Sequence, residues 1–129
     1  MGQVKRFEDL VAWQKGVQLA VDIYQTTQRT ALAKDFGLSG QMQRAAVSIP
    51  SNVAEGFERG TAAEFHRSLS TAKGSCAELR TQLYIARKVG HIPQDESAAL
   101  LGQAEEVARI IGGLRTAVKK QRDTKRTPR

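Results

Sequence analysis

The chain has 129 residues, of which 40% are hydrophobic and 26% charged, as expected for one domain with a core of its own. Its single cysteine, Cys76, excludes an intrachain disulfide, and the N-terminal sequence MGQVKRFEDL lacks the apolar core of a signal peptide. No apolar run approaches the roughly 20 residues of a membrane span, so we expect a cytoplasmic protein without a membrane partner.

The first predicted helix covers about residues 8–27 and carries two apolar stripes at helical spacing. One stripe comprises Leu10, Trp13, Val17, Ala20 and Tyr24. The other comprises Ala12, Gly16, Leu19 and Ile23. One stripe suffices for a bundle core, so the additional stripe, with its small residues, predicts a further close contact.

The second predicted helix covers about residues 40–58, with Ser39 as its N-cap after a turn at 36–38. Its core stripe comprises Leu38, Met42, Ala45, Ile49, Val53 and Phe57. Pro50 lies within this helix, where it deletes one backbone hydrogen bond. We expect a kink at Pro50, because the stripe continues in phase beyond it. Two short helices joined by a turn at 48–51 are the alternative.

The third predicted helix carries the clearest periodic signal. Thr61 and Glu64 match a capping box at its start, and Gly90 ends it. Its core stripe steps by four and three without error through Phe65, Leu69, Ala72, Cys76, Leu79, Leu83 and Ala86.

The fourth predicted helix follows Pro93, with Asp95 and Glu96 in its first turn. Its core stripe comprises Leu100, Ala104, Val107, Ile111, Leu114 and Val118, and a smaller face comprises Leu101, Ala108 and Gly112. Four helices of similar length with seven-residue repeats predict an all-α protein, an antiparallel up-down-up-down four-helix bundle with its second helix kinked at Pro50. We expect the bundle domain to cover residues 1–121 and a basic disordered tail to cover 122–129.

The net charge of +7 is concentrated near the C-terminus, where seven basic residues after position 113 face Asp123 as the one acid. A second basic row follows the third helix. Together they give the candidate phosphate-binding residues Lys73, Arg80, Arg87, Lys88, Arg115, Lys119, Lys120 and Arg122. Rows of this kind also occur as plain solvated helix faces, which is the alternative interpretation.

Sequence patterns of catalytic and metal sites are missing. His66 and His91 have no ligand partner at metal spacing, and Cys76 falls on a core stripe. The glycines of residues 56–60 do not form a phosphate loop. We therefore expect no enzyme activity, no catalytic residues, no cofactor, no metal and no small-molecule substrate.

Three stretches resemble a known family. Residues 41–57, QMQRAAVSIPSNVAEGF, resemble the signature RRAAxSIPxNIAEG of the bacterial 23S rRNA intervening-sequence proteins, which are four-helix bundles. Residues 7–15, FEDLVAWQK, and 72–83, AKGSCAELRTQL, resemble that family's other motifs, so the resemblance covers about residues 6–118. Gln43 replaces a common arginine, and the basic tail is not part of the pattern.

The resemblance implies an antiparallel bundle that assembles as a ring-like homopentamer, with no catalytic residues to carry over. Accessory proteins of diversity-generating retroelements are similar and are thought to bind nucleic acid and a reverse transcriptase. The resemblance suggests that the signature residues hold the second helix against its neighbours. These residues are Arg44, Ser48, Pro50, Asn52, Glu55 and Gly56.

Two hypotheses for function follow. The first is a non-enzymatic homo-oligomer that binds RNA or DNA through its basic surface and tail, with an affinity that falls steeply with salt. The alternative is a structural or adaptor subunit that binds a protein partner through the additional apolar faces and has no nucleic-acid role.

Overall fold

The computed structural model describes residues 4–126, which form an all-α fold with no strand in that range. The four main helices are α1 (Val11–Arg29), α2 (Phe36–Glu58), α3 (Ala62–Lys88) and α4 (Gln94–Arg126). Short 3-10 helices at Phe7–Asp9 and Ala31–Lys34 precede α1 and α2.

The four helices pack as the predicted four-helix bundle. Each helix packs against the next along the chain, and α4 returns to α1. The connections are short, so neighbouring helices run antiparallel. As a consequence, the α1–α2 and α3–α4 pairs lie on opposite sides of the bundle. Within the described residues, none of the helices is both long and apolar enough to cross a membrane.

The core confirms the stripes predicted for α2 and α3 and reverses our assignment on α1. Every residue of the α3 stripe is buried, and so are Met42, Ala45, Ile49 and Val53 of α2. On α1 the buried stripe is the one with small residues, Ala12, Gly16, Leu19 and Ile23. In the other α1 stripe Leu10 and Ala20 are also buried, whereas Tyr24 remains 38% exposed.

The start of α2 differs from the prediction. The helix begins at Phe36, and its N-cap is Asp35, whose carboxylate accepts a hydrogen bond from the Leu38 N–H at 3.1 Å. Ser39, predicted as the cap, lies one turn inside the helix, where its hydroxyl donates to the Leu32 carbonyl. The prediction was wrong because the helix begins four residues earlier, where Asp35 caps the free Leu38 N–H.

Helix α2 is continuous through Pro50, which excludes the alternative of two short helices. The proline ring is buried against α1. A Cβ added at Gly16 would lie 3.3 Å from the Pro50 Cβ, so the missing side chain at Gly16 is what admits the ring. The kink at Pro50 stays a prediction.

Helix α3 begins and ends where the sequence predicted. The Thr61 hydroxyl accepts a hydrogen bond from the Glu64 N–H at 3.2 Å, which is one half of the predicted capping box, and the Glu64 carboxylate lies 3.9 Å from Arg59 instead. At the other end Gly90 has φ +84°, and the His91 N–H donates to the Ala86 carbonyl at 2.9 Å. This pairing is the hydrogen-bond pattern of a Schellman motif, which requires the left-handed glycine.

Helix α4 continues to Arg126, beyond Arg122, where we expected helical order to end. Basic side chains near a helix C-terminus interact favourably with the helix dipole, which fits this extension. The last part of the predicted tail, residues 127–129, lies outside the described residues, and the domain boundary at 121 stays a prediction.

Candidate nucleic-acid interface

The antiparallel packing of α3 and α4 brings the two basic regions of the sequence together. Arg115 of α4 donates from Nη1 to the Ser70 hydroxyl of α3 at 3.2 Å. Further along, Arg80 Nη2 lies 3.5 Å from Glu105 Oε2. The surface along this seam is here called the α3–α4 face. Its basic residues are Lys73, Arg80, Arg87, Arg109, Arg115, Lys119 and Arg122.

An open groove of about 610 Å³ runs along the middle of this face. Lys73, Arg80 and Arg109 line it together with Glu105 and small residues of α4. One of the small residues is Gly112, where an added Cβ would lie 3.5 Å from the Lys73 Cε. The small residues let the lysine stem extend across α4 and leave space between the charged groups.

The electrostatic effect of this arrangement is visible at His66. Burial lowers the pKa of its imidazole first, and the nearby charges of Arg122, Arg115 and Lys119 lower it further, in that order. Asp123 opposes the shift. The C-terminal cations of α4 therefore act on the start of α3, which places both basic regions in one positive field.

The positive charge of the face is only partly compensated. Within the described part of the chain, Glu105 lies near Arg80 and Asp123 lies 3.5 Å from Arg122, whereas Lys73, Arg115 and Lys119 form no ion pair. Both ion pairs are partly exposed and lie at 3.5 Å, so solvent weakens the attraction within them. The Arg80 Nε is buried without a hydrogen-bond partner. An anion on this surface would find several cations without a competing carboxylate.

Some of the predicted cations lie outside the groove, and one groove cation was missed. Lys88 and Lys120 are exposed, and neither lines the groove. Arg87 lies near the end of α3, with its guanidinium 5.8 Å from the centroid of the Tyr84 ring. Sequence reasoning missed Arg109. Arg109 follows Ala108, which belongs to the smaller face of the fourth helix. This position was the available sign that Arg109 lies in the groove.

The opposite side of the bundle, here called the α1–α2 face, carries an apolar groove of about 380 Å³. The groove is lined by Val17, Ala20, Val21, Tyr24, Gln25, Val47 and Pro50, none of them charged. Val21 is 42% exposed and Val47 is 41% exposed. Phe36, at the end of the same helix pair, is 83% exposed.

Three signature residues of α2 contact its neighbours: Ser48 and Gly56 contact α3, and Pro50 contacts α1. The Ser48 hydroxyl lies 2.9 Å from that of Ser75, and the Asn52 amide donates to the Ser48 carbonyl at 2.8 Å. A Cβ added at Gly56 would lie 2.4 Å from the Ser68 Cβ, so α2 and α3 touch there. Toward solvent, Glu55 pairs with Arg59, and Arg44 is exposed.

Groups with potential for other chemistry are dispersed. Burial raises the pKa of the Cys76 thiol to about 11, so this thiol stays protonated at neutral pH. His91 lies 3.0 Å from Asp35, at the cap of α2. Across the described residues, no group of three potential metal-ligating side chains comes together.

With this geometry established, the family model described as 23S rRNA-intervening sequence protein matches residues 8–113 of the chain. The chain belongs to this family. The match includes the α3 cations and ends before Arg115, Lys119 and Arg122 of α4. The similarity to retroelement accessory proteins stays a prediction.

A solved structure from Bacteroides thetaiotaomicron, a protein with unknown function from the S23 ribosomal protein family, is similar at a TM-score of 0.75 and 21% identity. The similarity covers 82% of this chain and 96% of that one. At this identity it supports the fold alone. No curated protein matches the chain. Neither the family's description nor this relative's refers to a catalytic activity.

Proposed function

We propose that this family member is a non-enzymatic protein that binds the backbone of RNA or DNA through its α3–α4 face. The observation that carries the proposal is the gathering of seven cations from two separate stretches of sequence on one side of the bundle. Only two carboxylates, those of Glu105 and Asp123, pair with them in the described chain.

Phosphate is the ligand chemistry that this surface fits. Arginine guanidinium groups form paired hydrogen bonds to phosphate oxygens, and lysine contributes a compact charge. The groove is open, as a continuous polymer requires. Binding by charge neutralisation releases counterions, so the affinity falls steeply as salt rises.

We further propose that the protein is a homo-oligomer whose copies meet through the α1–α2 face. Like charges repel across the α3–α4 face, whereas the α1–α2 groove is lined by uncharged residues. Valine and tyrosine side chains about 40% exposed there gain from being covered. A second copy offers the same uncharged surface, and the homopentamer is the stoichiometry that the family resemblance suggests.

The nucleic-acid proposal is tested with the variant Lys73→Gln/Lys119→Gln in a shift assay at 50 mM salt. Each lost phosphate contact costs on the order of tenfold at this salt, so we expect roughly a hundredfold weaker binding. The control is Lys34→Gln, which removes an exposed lysine from the α1–α2 connection. If the unmodified protein binds neither RNA nor DNA at low salt, the proposal is wrong.

The alternative is an adaptor that covers the α1–α2 face with a different protein. The same exposed valines favour it, since they suit any apolar partner. Light scattering at micromolar concentration separates the two. A measured mass several times the chain mass of 14.1 kDa supports self-association. A monomeric mass supports the binding of a different protein at this face.

A further inference from the structure

We infer that the ligand of the α3–α4 face is a double helix, RNA or DNA, whose sugar-phosphate backbones lie along the seam between the two helices. This inference rests on the proposed function and narrows it from nucleic acid in general to duplexes. Its three arguments are the placement of the cations, their rigidity and the distribution of aromatic side chains.

The cations form two rows, one on α3 and one on the adjacent antiparallel helix α4. On α3, Lys73, Arg80 and Arg87 repeat every seven residues, about 10.5 Å apart at 1.5 Å per residue. The α4 row lies roughly 8–10 Å away, the usual separation of packed helices. From the level of His66, beside Arg122, to Arg87 the face is about 32 Å long. This length is close to one turn of a B-form DNA duplex, roughly 34–36 Å.

Two of the cations are also ordered by contacts within the protein. The Lys73 stem packs over α4 at Gly112, and Arg115 donates to the Ser70 hydroxyl. Fixed charges suit a stiff lattice of phosphates, because little ordering entropy is lost on either side. A duplex also carries about one charge per 1.7 Å of its axis, which is the densest target for such rows.

The aromatic side chains argue against a splayed single strand. Proteins that bind single strands stack bases on aromatic rings, each worth roughly 1–3 kcal/mol. On the described α3–α4 face the exposed ring is that of Tyr84, near the guanidinium of Arg87. Phe57 and Phe65 pack against each other between α2 and α3. A single strand would thus receive charge contacts with at most one stacking platform.

The test is fluorescence anisotropy with labelled 20-mers at 50 mM salt. The probes are an RNA duplex, a DNA duplex, and the unstructured single strands U20 and dT20. We expect at least one duplex to bind tenfold or more tightly than its single-stranded counterpart. Single strands that bind as tightly as both duplexes overturn this inference and leave the proposed function intact. Absence of binding by all four probes overturns the proposed function.

Two variants sharpen the result. Lys73→Gln is expected to make the slope of log affinity against log salt shallower by about one, and Lys34→Gln to leave it unchanged. Tyr84→Leu keeps a large apolar side chain and is expected to leave duplex affinity within twofold. A loss of tenfold or more in this variant, with its helix content unchanged by circular dichroism, shows that stacking drives binding and overturns the inference.

Discussion

The α3–α4 face and the α1–α2 face are built from helices of the same kind, yet their surfaces differ in charge. Seven cations lie along the first, whereas the groove of the second is lined by uncharged side chains. A plain solvated bundle would carry mixed charges on both sides. This segregation of charge indicates that the two faces suit different partners. The α3–α4 face suits a polyanion, and the α1–α2 face suits an apolar surface.

The difference originates in what each helix places toward solvent. The outward side of α1 alternates valine and glutamine, as in Val11, Gln14, Val21 and Gln25, all exposed. Its charged residues Lys15 and Asp22 contact α4 instead, through Glu106 and Gln103. On α4 the residues near the seam are mostly basic, with Glu105 and Asp123 as the acids beside them. Substitutions on each face are expected to separate these two kinds of contact.

The largest effect is expected at the α1–α2 face, from Val21→Glu/Val47→Glu. Both side chains are about 40% exposed, so the isolated fold tolerates charge there, but a covered interface would bury two carboxylates at high cost. We expect the assembly to dissociate to the chain mass in light scattering. Val89→Glu, which changes a 57% exposed valine outside this face, is the control and should assemble normally. Intact assembly of the double variant would move the interface elsewhere.

A large effect on stability, independent of both faces, is expected from Gly56→Ala. The new Cβ would lie 2.4 Å from the Ser68 Cβ, so α2 and α3 must move apart, at a cost of about 1–3 kcal/mol. Gly74→Ala is the matched control, since nothing lies within 4 Å of its added Cβ, and it should stabilise α3 by about 0.5–1 kcal/mol. Urea unfolding measures both, and equal values would contradict the close contact.

A smaller effect is expected when a carboxylate is removed from the basic face. Glu105→Gln removes negative charge from the groove and releases Arg80, so nucleic acid should bind several-fold more tightly at low salt. Glu78→Gln makes the same charge change on an exposed position outside the groove. Anisotropy titrations compare the two. A similar gain in both would show that net charge, and not the α3–α4 face, controls affinity.

The smallest effect concerns pH at the end of the bundle. The hydrogen bond from the Leu38 N–H, and then that from His91, hold the pKa of the Asp35 carboxyl below its usual value. A carboxylate with a lowered folded pKa stabilises above the unfolded pKa, and this contribution is lost as pH falls through the folded pKa. Asp35→Asn should therefore flatten the decrease of Tm below pH 4. Asp9→Asn, an exposed control, should flatten it less.

The helices and most of their core positions could be predicted from the sequence, because the periodic spacing of apolar residues is a local property of the chain. The α3 stripe and the left-handed Gly90 were read directly from it. The rotation of α1 was not, since two stripes competed and only packing against α2 and α4 decides which is buried. Ser39 was predicted as the cap because residues 36–38 were interpreted as a turn. The early start of α2 depends on Leu32 and the preceding 3-10 helix, which the apolar pattern did not indicate.

The candidate site was predicted in its parts but not as a unit. Lys73, Arg80, Arg115, Lys119 and Arg122 were singled out as separate rows. Their gathering on one face depends on the antiparallel register of α3 and α4, which contacts such as Arg115 to Ser70 fix. The apolar α1–α2 groove likewise requires two helices and could not be read from one stripe.

The most direct test of a polyanion on the α3–α4 face is the NMR titration of His66, with and without saturating duplex. Burial and the cations Arg122, Arg115 and Lys119 lower the pKa of the free protein's imidazole below 6.5. Phosphates beside these cations offset their charge and favour the imidazolium, so the pKa should rise on binding, and affinity should increase as pH falls toward it. An unchanged His66 pKa in a saturated complex would contradict the account.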